Sequence, residues 1–138
     1  MASTLLDLHV TASGSYTVVE VGGEIDMASA PELRECLYQT IDAGSRRLVV
    51  DLRRVGFIDS VGLGVLVGAK RRLREHGHDD SSVLLVGADG LVLRAFRLSG
   101  LDRVFPLHAT LADALGSDAG QAGKRSGQGE DQPEPEPA

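Results

Sequence analysis

The sequence contains a single cysteine, Cys36, and this scarcity limits the kinds of protein it can encode. One cysteine cannot form an internal disulfide, nor can it build a zinc site from several cysteines. A chain without disulfides is typical of a reducing compartment. We therefore expect Cys36 to be an ordinary core residue.

Long apolar runs are also missing. Although 42% of the residues are hydrophobic, no stretch approaches the roughly 20 consecutive apolar residues that a membrane-spanning helix needs. The first ten residues include an acidic residue and lack the basic and apolar segments of a secretory signal. We therefore expect a cytoplasmic protein with no membrane partner.

Positive charge is scarce, because 14 Lys and Arg residues face 20 Asp and Glu residues, for a net charge of −6. Duplex DNA and anionic membranes bind basic surfaces, so this balance argues against a nucleic-acid partner. The last 22 residues, 117–138, hold five acidic and two basic residues together with four Gly and three Pro. Such a segment cannot bury enough apolar surface to offset its ordering entropy. We predict a folded domain over residues 1–116 and a disordered acidic tail over 117–138.

Apolar patterns that alternate between period two and period 3.6 predict strands and helices in turn. Two opening strands separated by a Ser-Gly-Ser turn predict an antiparallel hairpin. Strands followed by helices favour a mixed sheet with helical crossovers, which is an α/β domain. The predicted strands are 6–10, 16–21, 47–52, 83–86 and 102–107, and the predicted helices begin at 29, 60, 89 and 110.

The first predicted helix has a recognisable start and end. Pro31 falls in its first turn, and Glu32 follows three residues after Ser29, which is the spacing of a capping box. Gly44 is a plausible stop, because glycine adopts the left-handed conformation that ends helices. We expect Ser29 and Glu32 to cap this helix reciprocally.

The most informative stretch runs from Val49 to Gly64, VVDLRRVGFIDSVGLG, where an apolar strand leads into a serine that opens a helix. A hydroxyl at such a position suits a helix cap, and the helix N-terminus would also receive a phosphate. Glycines at 62, 64 and 68 follow, although each destabilises a helix by up to about 1 kcal/mol relative to alanine. We expect these glycines to strip one helical face for the close approach of another molecule.

Two enzymatic interpretations of Ser60 fit the pattern less well. A nucleophile elbow would read GxSxG, whereas Ser60 follows Ile58 and Asp59, and no histidine is tied to Ser60 by the sequence. The GxGxxxG spacing from Gly62 resembles a dinucleotide-binding turn, but it follows the third predicted strand rather than the first. A nucleotide-binding protein remains an alternative.

Asp26 and Asp59 both lie at the ends of predicted strands and could form a metal or acid-base site. Isolated aspartates in loops more often make turns or cap helices. Because no His or Glu residues cluster with them, we predict neither a metal nor a cofactor.

Two segments together resemble the STAS-domain anti-sigma factor antagonists of bacteria, also called anti-anti-sigma factors. These are Gly23-Glu24-Ile25-Asp26 before a helix with a Ser-Ala-Pro start, and VVDLRRVGFIDSVGLGVLVGAKRRL. The resemblance covers about residues 5–115. It implies a single α/β STAS-like domain with a mixed, mostly parallel sheet of four or five strands and about four helices.

In this family the serine of the Asp-Ser-x-Gly-Leu-Gly motif is phosphorylated by the anti-sigma factor, which is itself a serine kinase. By this resemblance Ser60 is the phosphorylation site, and the chain is a substrate rather than an enzyme. Val61 stands where many members have Ser or Thr. The implied partner-binding residues are Asp26, Asp59, Ser60, Val61, Gly62, Leu63 and Gly64.

The resemblance also implies a partner switch. The unphosphorylated chain would bind the anti-sigma factor and release its sigma factor, phosphorylation of Ser60 would end the binding, and a serine phosphatase would reset it. Within the same fold, the alternative is a structural interaction module of a larger signalling assembly, in which Ser60 is only a helix cap.

Overall fold

The computed structural model describes residues 5–77 and 81–116. The predicted acidic tail lies outside the described residues and stays a prediction. Among the described residues, no helix has both the length and the apolar character that crossing a membrane requires. The elements are β1 (Asp7–Ser13), β2 (Tyr16–Ile25), α1 (Ala30–Asp42), β3 (Arg47–Ile58), α2 (Ser60–Glu75), β4 (Ser82–Val86), α3 (Gly90–Ser99), a 3-10 turn (Leu101–Arg103), β5 (Leu107–His108) and a helix over 111–116, labelled α4.

The five strands form one sheet in the order β1-β2-β3-β4-β5. β1 pairs with β2 antiparallel, as the predicted hairpin requires, and every later pair is parallel. The described part of the chain also contains the four predicted α-helices. The predicted α/β fold with a mixed, mostly parallel sheet is therefore confirmed.

The sheet separates two apolar clusters. On one face, buried side chains of the central strands pack against α1, α2 and α3, and α1 contributes Leu33, Leu37 and Ile41 at a spacing of four residues. The opposite face carries a smaller cluster of strand residues covered by Ala114 of α4. Cys36 is half-buried and packs against the larger cluster, so it belongs to the core as expected.

β3 is longer than the sequence predicts, and this extension positions the candidate site. Its first residues pair with both neighbours, but β4 ends opposite Asp51. The remainder of β3 pairs only with β2, up to the last pair, Ile25 with Ile58. The loops that follow β2 and β3 therefore emerge side by side.

The predicted capping box at the start of α1 is wrong. Ser29 is the N-cap residue, but its side chain makes no capping hydrogen bond. Instead, its hydroxyl donates to the Glu24 carbonyl (2.7 Å) and accepts the Asp26 N–H (2.9 Å). The Ser29 hydroxyl does not cap the helix because it closes the turn between β2 and α1 instead.

The other half of the predicted box, Glu32, has a different partner. Its carboxylate accepts the backbone N–H groups of Leu5 (2.8 Å) and Leu6 (3.0 Å), just before β1. These donors lie 26 and 27 residues away in the chain, so no local pattern indicates them. Glu32 holds the start of the chain against α1.

The predicted strand at 102–107 is also mostly wrong. Residues Leu101–Arg103 form a 3-10 turn, and only Leu107–His108 pair with β4. Phe105 turns inward and packs edge-on against Phe96, with ring centroids 6.4 Å apart. Pro106 has no N–H to donate to a strand neighbour. Aromatic burial and the proline together interrupt the strand.

The glycines of α2 do not clear one helical face, contrary to expectation. Residues 62 and 64 point to nearly opposite sides, because each helical residue turns by about 100°. A Cβ at Gly62 would lie 2.6 Å from Ile25 Cγ2, and one at Gly68 would lie 2.6 Å from the Tyr38 hydroxyl, whereas Gly64 faces open space. Two of the three glycines therefore serve internal packing.

Exchange of Gly62 and Gly64 for alanine should have opposite effects on stability. Gly62→Ala would press a methyl group against Ile25 and Ile58, so we expect destabilisation of about 1–3 kcal/mol from overpacking. Gly64→Ala meets no atom within 4 Å and should stabilise the helix by up to about 1 kcal/mol. Urea unfolding of both variants measures this, and equal effects would contradict the described packing of α2.

A charged contact joins α1 to α2. The Arg72 guanidinium donates to both oxygens of Asp42 (2.8 and 2.7 Å) and stacks over the Tyr38 ring, 4.5 Å from its centroid. The His76 ring lies 3.3 Å from the same carboxylate. The hydrogen bonds from Arg72 lower the pKa of Asp42, against a smaller opposing effect of burial.

This contact should make stability depend on acid pH. Because the pKa of Asp42 is lower in the folded state, the ionised carboxylate stabilises the fold at neutral pH. This stabilisation is lost as the pH falls below about 4, the ordinary pKa of aspartate. The difference in unfolding free energy between wild type and Asp42→Asn should shrink towards zero in acid. Urea titrations from neutral pH downward measure it. Asp102→Asn, an exposed aspartate, is the control, and a difference that grows in acid would contradict the prediction.

Candidate functional site

The candidate site lies where β2 and β3 end. Because Ile25 and Ile58 are partners in the parallel pair, the residues that follow them are neighbours in space. The Asp59 N–H donates to the Ile25 carbonyl (3.0 Å) and prolongs the pairing by one bond. Parallel pairing thus brings together the two aspartates that the sequence places 33 positions apart.

Asp59 connects the two loops through its side chain. It is the N-cap residue of α2 in an extended conformation, and its Oδ1 accepts the Gly62 N–H (3.0 Å). Its Oδ2 accepts the Met27 N–H from the loop between β2 and α1 (3.1 Å). One carboxylate therefore caps the helix and fixes the neighbouring loop.

Ser60 is the first residue of α2 and is exposed. Because Asp59 is the cap, Ser60 does not have the capping role that the sequence offered as its alternative. The Ser60 hydroxyl makes no hydrogen bond with any residue that the structure describes. It is an accessible hydroxyl at the positive end of a helix.

Asp26 shapes the facing loop. Its Oδ1 accepts the N–H groups of Ala28 and Ser29, each at 3.0 Å, which is the turn-making role common for aspartates in loops. Within residues 5–77 and 81–116, neither Asp26 nor Asp59 forms an ion pair, and no group of three potential metal ligands occurs. The two carboxylates thus add negative charge beside Ser60 without a cationic partner in this part of the chain.

The remaining predicted site residues divide by exposure. Val61 is 43% exposed and Gly64 faces open space, so another molecule can contact both. Gly62 and Leu63 are buried on the inner face of α2. These two residues position the first turn of α2, while Ser60, Val61 and Gly64 form its accessible surface.

No base activates Ser60 in the described region. His9 contacts Asp7, His76 contacts Asp42, and His108 lies in β5, while His78 lies outside the described residues. Burial lowers the pKa of His108, although Asp113 opposes this effect. None of the described histidines therefore contacts Ser60 as the general base of a catalytic serine would.

Sequence reasoning missed Met27, which lies in the loop beside Ser60 with 74% of its surface exposed. The signal was an apolar residue directly after Asp26, in a turn whose other residues are small or polar. Its N–H contact with Asp59 makes Met27 part of the same surface.

Known proteins share this fold and about a third of the aligned residues. The STAS domain family matches residues 7–114. The anti-sigma-B factor antagonist of Staphylococcus aureus is 33% identical over 96 residues, which cover 70% of this chain and 86% of that protein. The anti-sigma-F factor antagonist RsfB of Mycobacterium tuberculosis is 34% identical over 110 residues, covering 80% of this chain and 87% of that protein.

A solved structure agrees with these relatives. The crystal structure of an anti-sigma factor antagonist from Mycobacterium paratuberculosis superimposes with a TM-score of 0.74 at 34% identity, covering 81% of this chain and 92% of that one. The family match, the two relatives and the solved structure agree with one another. The chain therefore belongs to the STAS-domain family, and the relatives named above are anti-sigma factor antagonists, which are regulatory proteins.

Proposed function

We propose that the unphosphorylated chain binds an anti-sigma factor through the surface around Ser60 and so releases a sigma factor for transcription. Phosphorylation of Ser60 by that anti-sigma factor, acting as a serine kinase, ends the binding. The observation that carries this proposal is the exposed Ser60 hydroxyl, without a described partner, directly after the residue that caps α2.

The fold should tolerate a phosphate at this position. The Asp59 carboxylate already caps α2, so modification of Ser60 removes no hydrogen bond of the described structure. The partial positive charge of the helix N-terminus also stabilises an anion in the first turn. Phosphorylation can therefore change the surface without unfolding the domain.

Binding, in contrast, should respond strongly. A phosphate adds about −1.5 to −2 charges at pH 7 beside Asp26 and Asp59. A partner that covers the exposed Val61 and Gly64 would have to remove water from this anion, which is unfavourable without a matching cation. A tenfold loss of affinity requires only about 1.4 kcal/mol.

The proposed switch implies one further partner, a serine phosphatase, and a cellular location. The chain is a substrate and a binding protein with no catalytic residue of its own, and it uses no cofactor. A serine phosphatase would remove the phosphate and return the chain to its binding form. Because transcription is the regulated process, the proposal locates the chain in the bacterial cytoplasm.

Binding of variants to the purified anti-sigma factor of the source organism tests the switch. Ser60→Ala should bind about as well as wild type, whereas Ser60→Asp should bind at least about tenfold more weakly, because it places a charge on the contact surface. Calorimetry measures both affinities. Ser15→Asp is the matched control, because Ser15 lies in the hairpin turn before β2, at the opposite end of that strand. Equal affinities of Ser60→Ala and Ser60→Asp would contradict the proposal.

Intact mass spectrometry tests the modification itself. Incubation with the same anti-sigma factor, ATP and Mg²⁺ should add about 80 Da to the wild-type chain, the mass of one phosphoryl group. Ser60→Ala should gain nothing. A phosphoryl group on Ser60→Ala, or none on the wild type, would count against Ser60 as the acceptor.

Stability measurements separate this proposal from the alternative of a purely structural serine. Ser60→Ala should change the unfolding free energy by no more than about 0.5 kcal/mol, because the hydroxyl has no described partner. Asp59→Ala should cost about 0.5–2 kcal/mol, because it removes the cap of α2. A larger cost at Ser60 than at Asp59, read from urea unfolding curves, would favour the structural role.

A further inference from the structure

Met27 carries a large apolar side chain in the loop between β2 and α1, with 74% of its surface exposed. Among the described large hydrophobic residues, only Leu98 is more exposed, at 76%. Single exposed apolar residues are common on protein surfaces, so exposure alone indicates nothing. What distinguishes Met27 is the way its backbone is held.

The backbone of Met27 is fixed relative to Ser60. The Met27 N–H donates to Asp59 Oδ2 (3.1 Å), while Asp59 Oδ1 accepts the Gly62 N–H in the first turn of α2 (3.0 Å). The next residue of the loop, Ala28, donates its N–H to Asp26 (3.0 Å). Hydrogen bonds therefore hold the backbone at Met27 and at the residue after it, while the Met27 side chain is exposed to solvent.

Such an arrangement is preorganised for binding. Ordering a loop during association consumes binding free energy, and a loop already held by hydrogen bonds avoids that cost. The methionine side chain itself is flexible and polarisable, so it adapts to an apolar cavity of irregular shape. Val61, which follows Ser60, is a second exposed apolar side chain, on the helix side of the site.

We propose that Met27 is an apolar anchor that enters a pocket of the anti-sigma factor, and that Asp59 is the positioning residue that holds it beside Ser60. This inference rests on the proposed function. Charge complementarity defines the occupant, because Asp26 and Asp59 flank the anchor without ion pairs among the described residues. The partner surface should therefore be an apolar pocket whose bordering basic side chains pair with these two carboxylates, so that a phosphate on Ser60 would meet no unpaired cation.

The anchor also explains how a phosphate would act. A pocket that encloses Met27 excludes water from its surroundings, including the neighbouring Ser60 hydroxyl. A phosphate there would have to lose hydration each time Met27 entered the pocket, which is unfavourable for a dianion. Anchor and switch are thus coupled by proximity, without a change of fold.

Affinity measurements with the purified anti-sigma factor test the anchor. Met27→Ala should bind at least about tenfold more weakly, whereas Met27→Leu should stay within about threefold of wild type, because leucine preserves most of the apolar surface. Leu98→Ala is the matched control. It truncates an equally exposed side chain near the C-terminal end of α3. Because β4 and β5 are parallel, α3 runs from the end of β4 back to the start of β5, away from the strand ends that carry Ser60. Wild-type affinity of Met27→Ala, or an equal loss for Leu98→Ala, would overturn the inference.

A double-mutant cycle tests the role of Asp59. Asp59→Asn keeps a good helix cap, because asparagine caps as well as aspartate, but it loses one of the two carboxylate acceptors. Asp59→Asn also removes a charge that faces the partner, which should weaken binding in either background. If Asp59 positions Met27 as well, the loss should be clearly larger in the wild-type background than in the Met27→Ala background. The same fold-loss in both backgrounds would overturn the positioning role.

Ser60→Asp in the same assay separates this inference from the proposed function. If Ser60→Asp weakens binding while Met27→Ala does not, the anchor is wrong and the switch stands. If wild type and Ser60→Ala both fail to bind the anti-sigma factor, the proposed function is overturned, and the anchor with it. Weak binding by both Ser60→Asp and Met27→Ala, with Leu98→Ala unaffected, supports both.

Discussion

The pair of hydrogen bonds accepted by the Asp59 carboxylate is the interaction on which this site depends. One bond caps α2 through Gly62, and the other holds Met27 in the loop from the neighbouring strand. Both bonds are possible because β2 and β3 are parallel neighbours that end in register. A short side chain at the end of one strand can therefore connect two loops that are distant in sequence.

The neighbouring residues of the site have separate roles. Asp59 stabilises the helix start, Asp26 makes the facing turn, and Ser60 keeps a hydroxyl that the described fold does not use. The structural hydrogen bonds of this surface belong to the aspartates, so the proposed modification of the serine would break none of them. Because Asp59 rather than Ser60 caps the helix, the reversible charge that we propose on Ser60 would be compatible with a constant fold.

Close packing beneath the surface supports the same geometry. Gly62 lets α2 approach Ile25 and Ile58, and no side chain would fit between them without displacement. The glycine that precedes a buried leucine in the motif therefore serves the sheet contact. No packing contact in the described structure requires glycine at position 64, which faces open space. Its accessible backbone is part of the surface that we propose to contact a partner.

Local patterns predicted the features that depend on neighbouring residues. The opening hairpin was correct, and the starts of α2 and α4 were correct to within one residue. Thr110, where the last helix was predicted to begin, accepts the Asp113 N–H. The failures share a physical cause. Glu32 found donors at the start of the chain instead of capping its own helix, and Phe105 turned into the core where a strand was expected. Each depends on contacts between distant segments, which periodicity does not report.

The sequence by itself determined the family, through the serine motif and the acidic loop before α1, and it determined the order of strands and helices. Only the tertiary structure decided that Asp59 rather than Ser60 caps α2, that two motif residues are buried, and that Met27 stands beside the serine. The reason is that a motif records which residues occur together, whereas the partner of each polar group is chosen among all donors and acceptors that folding brings within reach.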